Sequence, residues 1–256
     1  MGRLRFLAVL IVVAIVTASV SIIVLIPWTP DDAHLHAEER IGASSGTWTW
    51  SCPLESGGAR SCTLEMEIAE EDLDRSFSES VLRQGALLVP SPVALIDPGC
   101  DAVRAVADHV SAVTEGASEE LRARAALAFV QSAIRYADDE DLWGCSEFWA
   151  APTETLWAHR GDCEDTAVLL CSVYAAMGIR CVLLDYPGHV AVYLGDSEDY
   201  LFCETTGSGA VLGDGAWRWA DTEAGVHEVG EDLGVKGSVN AAIAWYRGML
   251  HRATGA

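Results

Sequence analysis

Lysine is all but absent. Lys236 is the single example, and Lys and Arg together number 16 against 38 Asp and Glu, a formal charge of −22. A polyanion such as nucleic acid is repelled by that balance, so a nucleic-acid-binding role is set aside. Internal repeats and low-complexity tracts are also missing. So are close Cys-x-x-Cys or His-x-x-x-His spacings and a recognisable calcium-binding loop. These absences remove repeat architectures and the metal sites that short motifs announce. What is present argues for a folded core: 256 residues, 50% hydrophobic, with a mean hydropathy of +0.21. That length holds one ordinary domain plus an appendage, and generic disorder does not fit the apolar fraction. The acidic, lysine-poor balance suits solubility in high salt and is silent about activity.

The amino terminus carries Arg3 and Arg5 ahead of an apolar run over residues 6–26, interrupted only by Thr17, Ser19 and Ser21. At about 1.5 Å per residue that run spans about 32 Å, the hydrocarbon thickness of a bilayer. Pro27 and Trp28 follow, then Asp31, Asp32, Glu38 and Glu39. Positive charge before the span and negative charge after it predict a cytoplasmic tail (1–5), a transmembrane anchor (6–26) and an extracytoplasmic remainder. A cleaved signal peptide, with Thr17-Ala18-Ser19 as its small-residue site, is the competing reading. In either case the chain leaves the cytoplasm.

Eight cysteines in an exported chain invite disulfides. Cys52 and Cys62 flank a turn-like stretch with Gly57-Gly58 and would staple a hairpin, and Cys100 and Cys145 lie in loop-like stretches as a second candidate pair. Cys171, Cys181 and Cys203 sit among apolar neighbours and read as small buried hydrophobes.

Residues 27–46 are polar, a linker. From Thr47 the pattern has period two, with Trp48, Trp50 and Cys52, then Cys62, Leu64, Met66 and Ile68. This predicts a β-hairpin with one buried face, in a small β-region over 47–95 that Pro90, Pro92 and Pro98 close off. The main domain is expected over 96–256. Val103, Val106, Val110 and Val113 have helical spacing after Asp101, and a second helix is expected from Ser118 to about Tyr136. The acidic stretch 138–152 reads as a surface loop, with Trp143, Trp149 and Trp157 as core or cleft walls rather than a sugar platform. Beyond Thr206 lie an irregular glycine-rich loop (207–215), alternating Trp217 and Trp219, and a closing helix after Ser238.

The chemistry concentrates in Arg160-Gly161-Asp162-Cys163-Glu164-Asp165-Thr166 and the apolar run that follows to Gly178. Asp162 is a suitable N-cap and Gly178 a C-terminal stop, and the helix between is apolar almost all round, hence buried. Cys163 therefore stands in a first helical turn, where free N–H groups favour thiolate. Strands are expected over 180–186, 189–194 and 199–205. A hairpin closed by residues 195–198 puts Leu194 opposite Asp199, Val192 opposite Leu201 and His189 opposite Glu204. Cysteine, histidine and carboxylate then form a nucleophile, a base and an orienting acid. Asp185 and Asp196 are alternative acids, and a zinc site on Cys163, His189 and Glu204 is a further alternative without supporting spacing. The Cys163 N–H is the first oxyanion donor, with Gln131 or Trp149 as candidates for the second. Glu164 and Asp165 oppose thiolate formation, and their side chains are expected to leave in other directions, about 8 Å from the sulfur.

The Gly-Asp-Cys-Glu-Asp stretch with its apolar helix, the Gly-His-Val-Ala-Val strand and the Glu-Thr-Thr segment resemble the transglutaminase-like superfamily, and more narrowly its membrane-anchored archaeal and bacterial members. The resemblance covers about residues 100–210. It implies a papain-like α+β fold, a central helix packed on an antiparallel sheet, with a Cys-His-Asp triad. Cys163 and His189 match that motif, while Glu204 stands where aspartate is usual. Such proteins include cross-linkers, peptidases, amide hydrolases and inactive members. The resulting expectation is an extracytoplasmic, membrane-anchored protein performing thiol-dependent acyl transfer or hydrolysis on protein or peptide amides. No cofactor or metal is implied. The alternative is a catalytically inactive binding or scaffolding module of the cell envelope.

Overall fold

The computed structural model describes residues 45–85, 92–144, 146–195, 201–218, 222 and 224–229. The apolar run 6–26, Cys145, Asp196, Trp219 and the helix expected after Ser238 lie outside them. Among the described residues, no helix is long and apolar enough to cross a membrane.

Period-two alternation builds the first unit. Strands β1 (Ser45–Pro53) and β2 (Ala59–Glu67) pair antiparallel, with Trp48 opposite Leu64 and Trp50 opposite Cys62. The alternate set is buried because one face of the hairpin lies on helix α3 (Glu119–Ala133). Trp50 meets Phe129 edge-on at 5.8 Å between ring centroids and donates its indole N–H to His109 Nε2 at 3.3 Å. Trp48 stacks on His159 at 4.5 Å. The hairpin therefore shares the core of the main domain, and the expected 95/96 boundary falls between Leu95 and Ile96, both buried in that same cluster. Cys52 lies opposite Arg60, so Cys52 and Cys62 are diagonal neighbours, and both thiols are free. Their side chains nonetheless interact, and burial, then the Cys62 thiol, raise the Cys52 thiol above its ordinary value. Cys100 is also a free thiol, accepting from Thr153 Oγ1 at 3.7 Å.

Helix α1 (Glu70–Gly85) was not legible in the sequence, while α2 (Asp101–Val113) and α3 begin where Asp101 and Ser118 predict. The Ser118 hydroxyl accepts from Leu121 N at 3.3 Å as a cap. The second predicted helix stops at Ala133, short of Tyr136. Ile134 turns extended and the Arg135 N–H goes to His159 O at 2.9 Å, starting β3 (Arg135–Tyr136). Its parallel partner is β4 (Arg160–Gly161). The stretch expected as a surface loop is partly folded in. It forms the short helix α4 (Asp139–Leu142), and Trp143 and Phe148 pack with Leu73 and Phe77 in a second small cluster. Helix α5 (Pro152–Ala158) follows, ending on His159 in the left-handed region at φ 53°.

The centre is helix α6 (Cys163–Ala176), whose residues from Glu164 to Tyr174 are all buried, as its apolar circumference demands. It stops where Gly178 takes φ +72°, a conformation that costs other residues more. It packs on the four-stranded antiparallel sheet β7-β6-β5-β8, made of β5 (Cys181–Tyr186), β6 (His189–Leu194), β7 (Leu201–Cys203) and β8 (Gly225–Glu228). The fold is mixed α+β, with helices around a central helix and antiparallel strands beside it. Trp217 lies in a 3-10 turn, Ala216–Arg218, rather than the expected strand.

Candidate active site

Three elements deliver the side chains singled out by sequence. Helix α6 puts Cys163 in its first turn, β6 begins at His189, and Glu204 follows β7 directly. The ladder pairs Leu194 with Leu201 and Val192 with Cys203, two residues away from the register that loop length predicts. An even shift preserves the face on which each side chain stands, which is why the expected contact survives the wrong register. His189 Nε2 lies 3.1 Å from Glu204 Oε2, both side chains largely covered. Thr206 donates from its N–H and hydroxyl to the other oxygen, Oε1, at 3.2 and 2.7 Å. Burial pushes the Glu204 carboxyl up, but the bonds from His189 and Thr206 outweigh it and hold the group below the usual carboxylate range. Asp185, an alternative acid in the sequence, instead lies near His227, whose pKa burial lowers and the Asp185 charge only partly restores.

Cys163 is half-buried, and its sulfur interacts with the backbone N–H of Val190, one residue from His189. Its nearest recorded acid is a surprise. The thiol donates to Glu164 Oε2 at 3.0 Å, where sequence reasoning expected about 8 Å. Glu164 is buried, and its carboxyl turns back onto the thiol and Asp162. Burial, then the Glu164 charge and hydrogen bond, push the Cys163 thiol well up.

The neighbouring acids form a cluster. Three groups each gather ligating atoms within 4.8 Å: Asp162, Cys163 and Glu164; Asp139, Asp162 and Asp165; Asp139, Glu147 and Glu164. Neither His189 nor Glu204 belongs to any of them, so the alternative zinc reading finds no support among the described residues. Backbone N–H groups hold one oxygen each of two acids, Phe148 on Asp139 Oδ2 and Ala150 on Asp165 Oδ1. Asp139 Oδ1, Asp162 Oδ1 and Asp165 Oδ2 are buried with no hydrogen-bond partner. Burial and mutual repulsion push Asp139 up to about 7 and Asp162 up to about 8, and raise Asp165 and Glu164. Buried unpaired oxygens around a concentrated negative charge are the donor set of a hard divalent cation. Sequence reasoning took Asp162 as a cap and Asp165 as a charge penalty, and did not connect Asp139. Asp162 occupies the N-cap position but makes no side-chain cap bond.

Two groups were proposed from sequence as oxyanion donors, and both are engaged elsewhere. Trp149 Nε1 donates to Glu147 Oε1 at 2.9 Å, and Gln131 Nε2 to Glu204 O at 2.7 Å. Tyr136, which sequence reasoning missed, is half exposed on β3 opposite Gly161. Burial, then the neighbouring Cys163, Asp138 and Asp162, push its phenol up to about 12, so it stays protonated.

Gly161 is required by a close approach. A Cβ there would sit 2.7 Å from Asp165 Cβ and 2.9 Å from its Oδ2. Gly161→Ala is expected to destabilise the fold by about 1–3 kcal/mol, read as a lower urea midpoint at unchanged m-value. An unchanged midpoint would show that the cluster accommodates the methyl group.

No family model matches the sequence, and no curated protein matches it. Among solved structures, the chain is similar to LapG of Legionella pneumophila at a TM-score of 0.39 and 13% identity, over 58% of this chain and 97% of that one. Calcium-bound LapG gives 0.38 and 13%, over 56% of this chain and 89% of that one. EGTA-treated LapG gives 0.37 and 14%, over 50% and 80%. The chain is thus similar to LapG in distant outline, at a level that leaves its chemistry to be argued from its own side chains.

Proposed function

We propose that this protein performs thiol-dependent acyl transfer or hydrolysis on protein or peptide amides, held outside the cell by the apolar segment 6–26. The observation that carries the reading is the covered His189–Glu204 pair at the start of β6, with the Cys163 sulfur against the adjoining Val190 N–H. Glu204 occupies Nε2 of the imidazole, which leaves Nδ1 as the nitrogen for the thiol. His189 takes the thiol proton as sulfur bonds to the carbonyl carbon, and returns it to the amine as the C–N bond breaks. The acyl group then passes from sulfur to an amine or to water. The Cys163 N–H serves as an oxyanion donor, and the protonated Tyr136 phenol, which in the resting site hydrogen-bonds Asp138, would have to turn from it to serve as a second.

Electrostatics sets a condition. At an effective dielectric of about 20, an ionised Glu164 beside the sulfur costs a thiolate roughly 5 kcal/mol, while an imidazolium about 4 Å away returns about 4 kcal/mol. The resting arrangement therefore keeps the thiol protonated. Asp139, Asp162 and Asp165, each with a buried unpaired oxygen, fit a divalent cation such as calcium, which would supply positive charge that draws the neighbouring Glu164 off the thiol. The suppressed thiol favours a second reading, an inactive scaffolding module of the cell envelope.

Alkylation separates the two. Cys163 should react with iodoacetamide at neutral pH much faster than free cysteine when calcium is present, and slowly in chelator. Rates no faster than free cysteine under both conditions favour the scaffold. Amine incorporation against hydrolysis on a glutamine and peptide library then separates transferase from hydrolase.

A further inference from the structure

Glu204 stands immediately after the last ladder pair of β7, Cys203 with Val192, so its own backbone has no strand partner to fix it. The chain beyond it contains Gly207 and Gly209, and Ala210 takes a left-handed φ of 48°. Such a segment is held only by what clamps it. The side chain of Gln131 on α3 bridges its neck, with Nε2 donating to Glu204 O at 2.7 Å and Oε1 accepting from Ala210 N at 2.8 Å. Two further ties add to it: Arg124 on the same helix donates from Nε to Ala210 O at 3.3 Å, and the Thr166 hydroxyl of the nucleophile's helix meets that of Thr205 at 2.9 Å. Space around the acid is tight, since a Cβ at Gly207 would lie 3.1 Å from Glu204 Cγ. A small displacement of this segment is therefore passed to the carboxylate.

We propose that Gln131 is a positioning residue for the acid, closing the 204–210 segment with one amide so that Glu204 meets His189 in line. This rests on the thiol–imidazole–carboxylate reading above. It removes Gln131 from the oxyanion site and gives it a different task. An amide suits this task because one planar group supplies both a donor and an acceptor.

Two variants test it. Gln131→Glu keeps the acceptor for the Ala210 N–H and loses the donor to Glu204 O, while Gln131→Leu loses both at similar volume. The probes are acylation of Cys163 by p-nitrophenyl acetate in calcium buffer and the low-field proton resonance of the His189 Nε2–H. Acylation is expected to fall about thirtyfold to hundredfold, because a misplacement near 1 Å costs on that order. The His189 resonance should move upfield, with near-native melting for Gln131→Glu. A merely structural glutamine would lower the melting temperature and leave that resonance in place. Native acylation and a native resonance in Gln131→Glu overturn the inference, even if Gln131→Leu fails to fold. A wild-type protein that p-nitrophenyl acetate does not acylate counts against the proposed function instead, and the resonance still decides the role of Gln131.

Discussion

His189→Ala is expected to lower acylation of Cys163 by about 10³-fold, with folding retained. The imidazole is the group in the proposed chemistry that takes the thiol proton and returns it to the leaving group, a contribution of about 10²–10⁴. Its removal also deletes the cation that must offset Glu164, 3.0 Å from the sulfur. Glu204→Gln should have a smaller effect in the same direction, because the amide still reaches Nε2 but no longer favours imidazolium. The double variant His189→Ala/Glu204→Gln should be no slower than His189→Ala alone, since the two act as a unit. Single-turnover acylation with mass detection of the thioester measures all three. Undiminished acylation in His189→Ala would remove the imidazole from the chemistry and leave the scaffold reading.

Calcium at about a hundred times its dissociation constant is expected to raise the melting temperature by about 5–10 °C over chelator. Asp139, Asp162 and Asp165 each bury an oxygen without a partner, so ionising them in the cation-free fold is costly. Protonation relieves the same strain, and the sign follows from linkage. The folded state holds protons on Asp139 to about 7 and on Asp162 to about 8, while the unfolded chain gives them up near 4. Across that window the folded state binds more protons, so stability in chelator falls as pH rises from about 4 to about 8. Calcium should flatten this slope. Asp165→Asn keeps the acceptor for Ala150 N and removes one ionisable group, so it should melt higher than wild type in chelator at high pH and gain less from calcium. A melting temperature indifferent to calcium, with a native Asp165→Asn, would mean that the acids do not act as a cation site. Glu164→Gln adds an independent check. Without that charge the thiol falls toward its ordinary value, and alkylation at neutral pH should rise even in chelator.

Much of the frame was legible because its causes are local. Alternation from Trp48 to Ile68 needs only a period of two, whereas the register, with Trp50 rather than Cys52 opposite Cys62, did not follow from it. Ser118, Asp101 and Gly178 mark helix ends by their own backbone and side-chain chemistry. An apolar circumference from Ala167 onward can only be a buried helix. The loop before β7 was less readable, since counting residues 195–198 assumed a tight closure and the ladder paired two residues off. Parity, which strands enforce, kept His189 and Glu204 on one face all the same.

By itself, then, the sequence determined which residues are candidates for the proposed chemistry and the elements that hold them, because helix ends, strand periods and residue order are properties of neighbouring positions. Only the tertiary structure decided where the charged heads go. Glu164 turns onto Cys163, and Asp139 joins Asp162 and Asp165. Gln131 reaches across from another helix to hold the segment bearing Glu204. A carboxylate or amide side chain points wherever water or a partner can be reached, and that depends on what distant segments cover it.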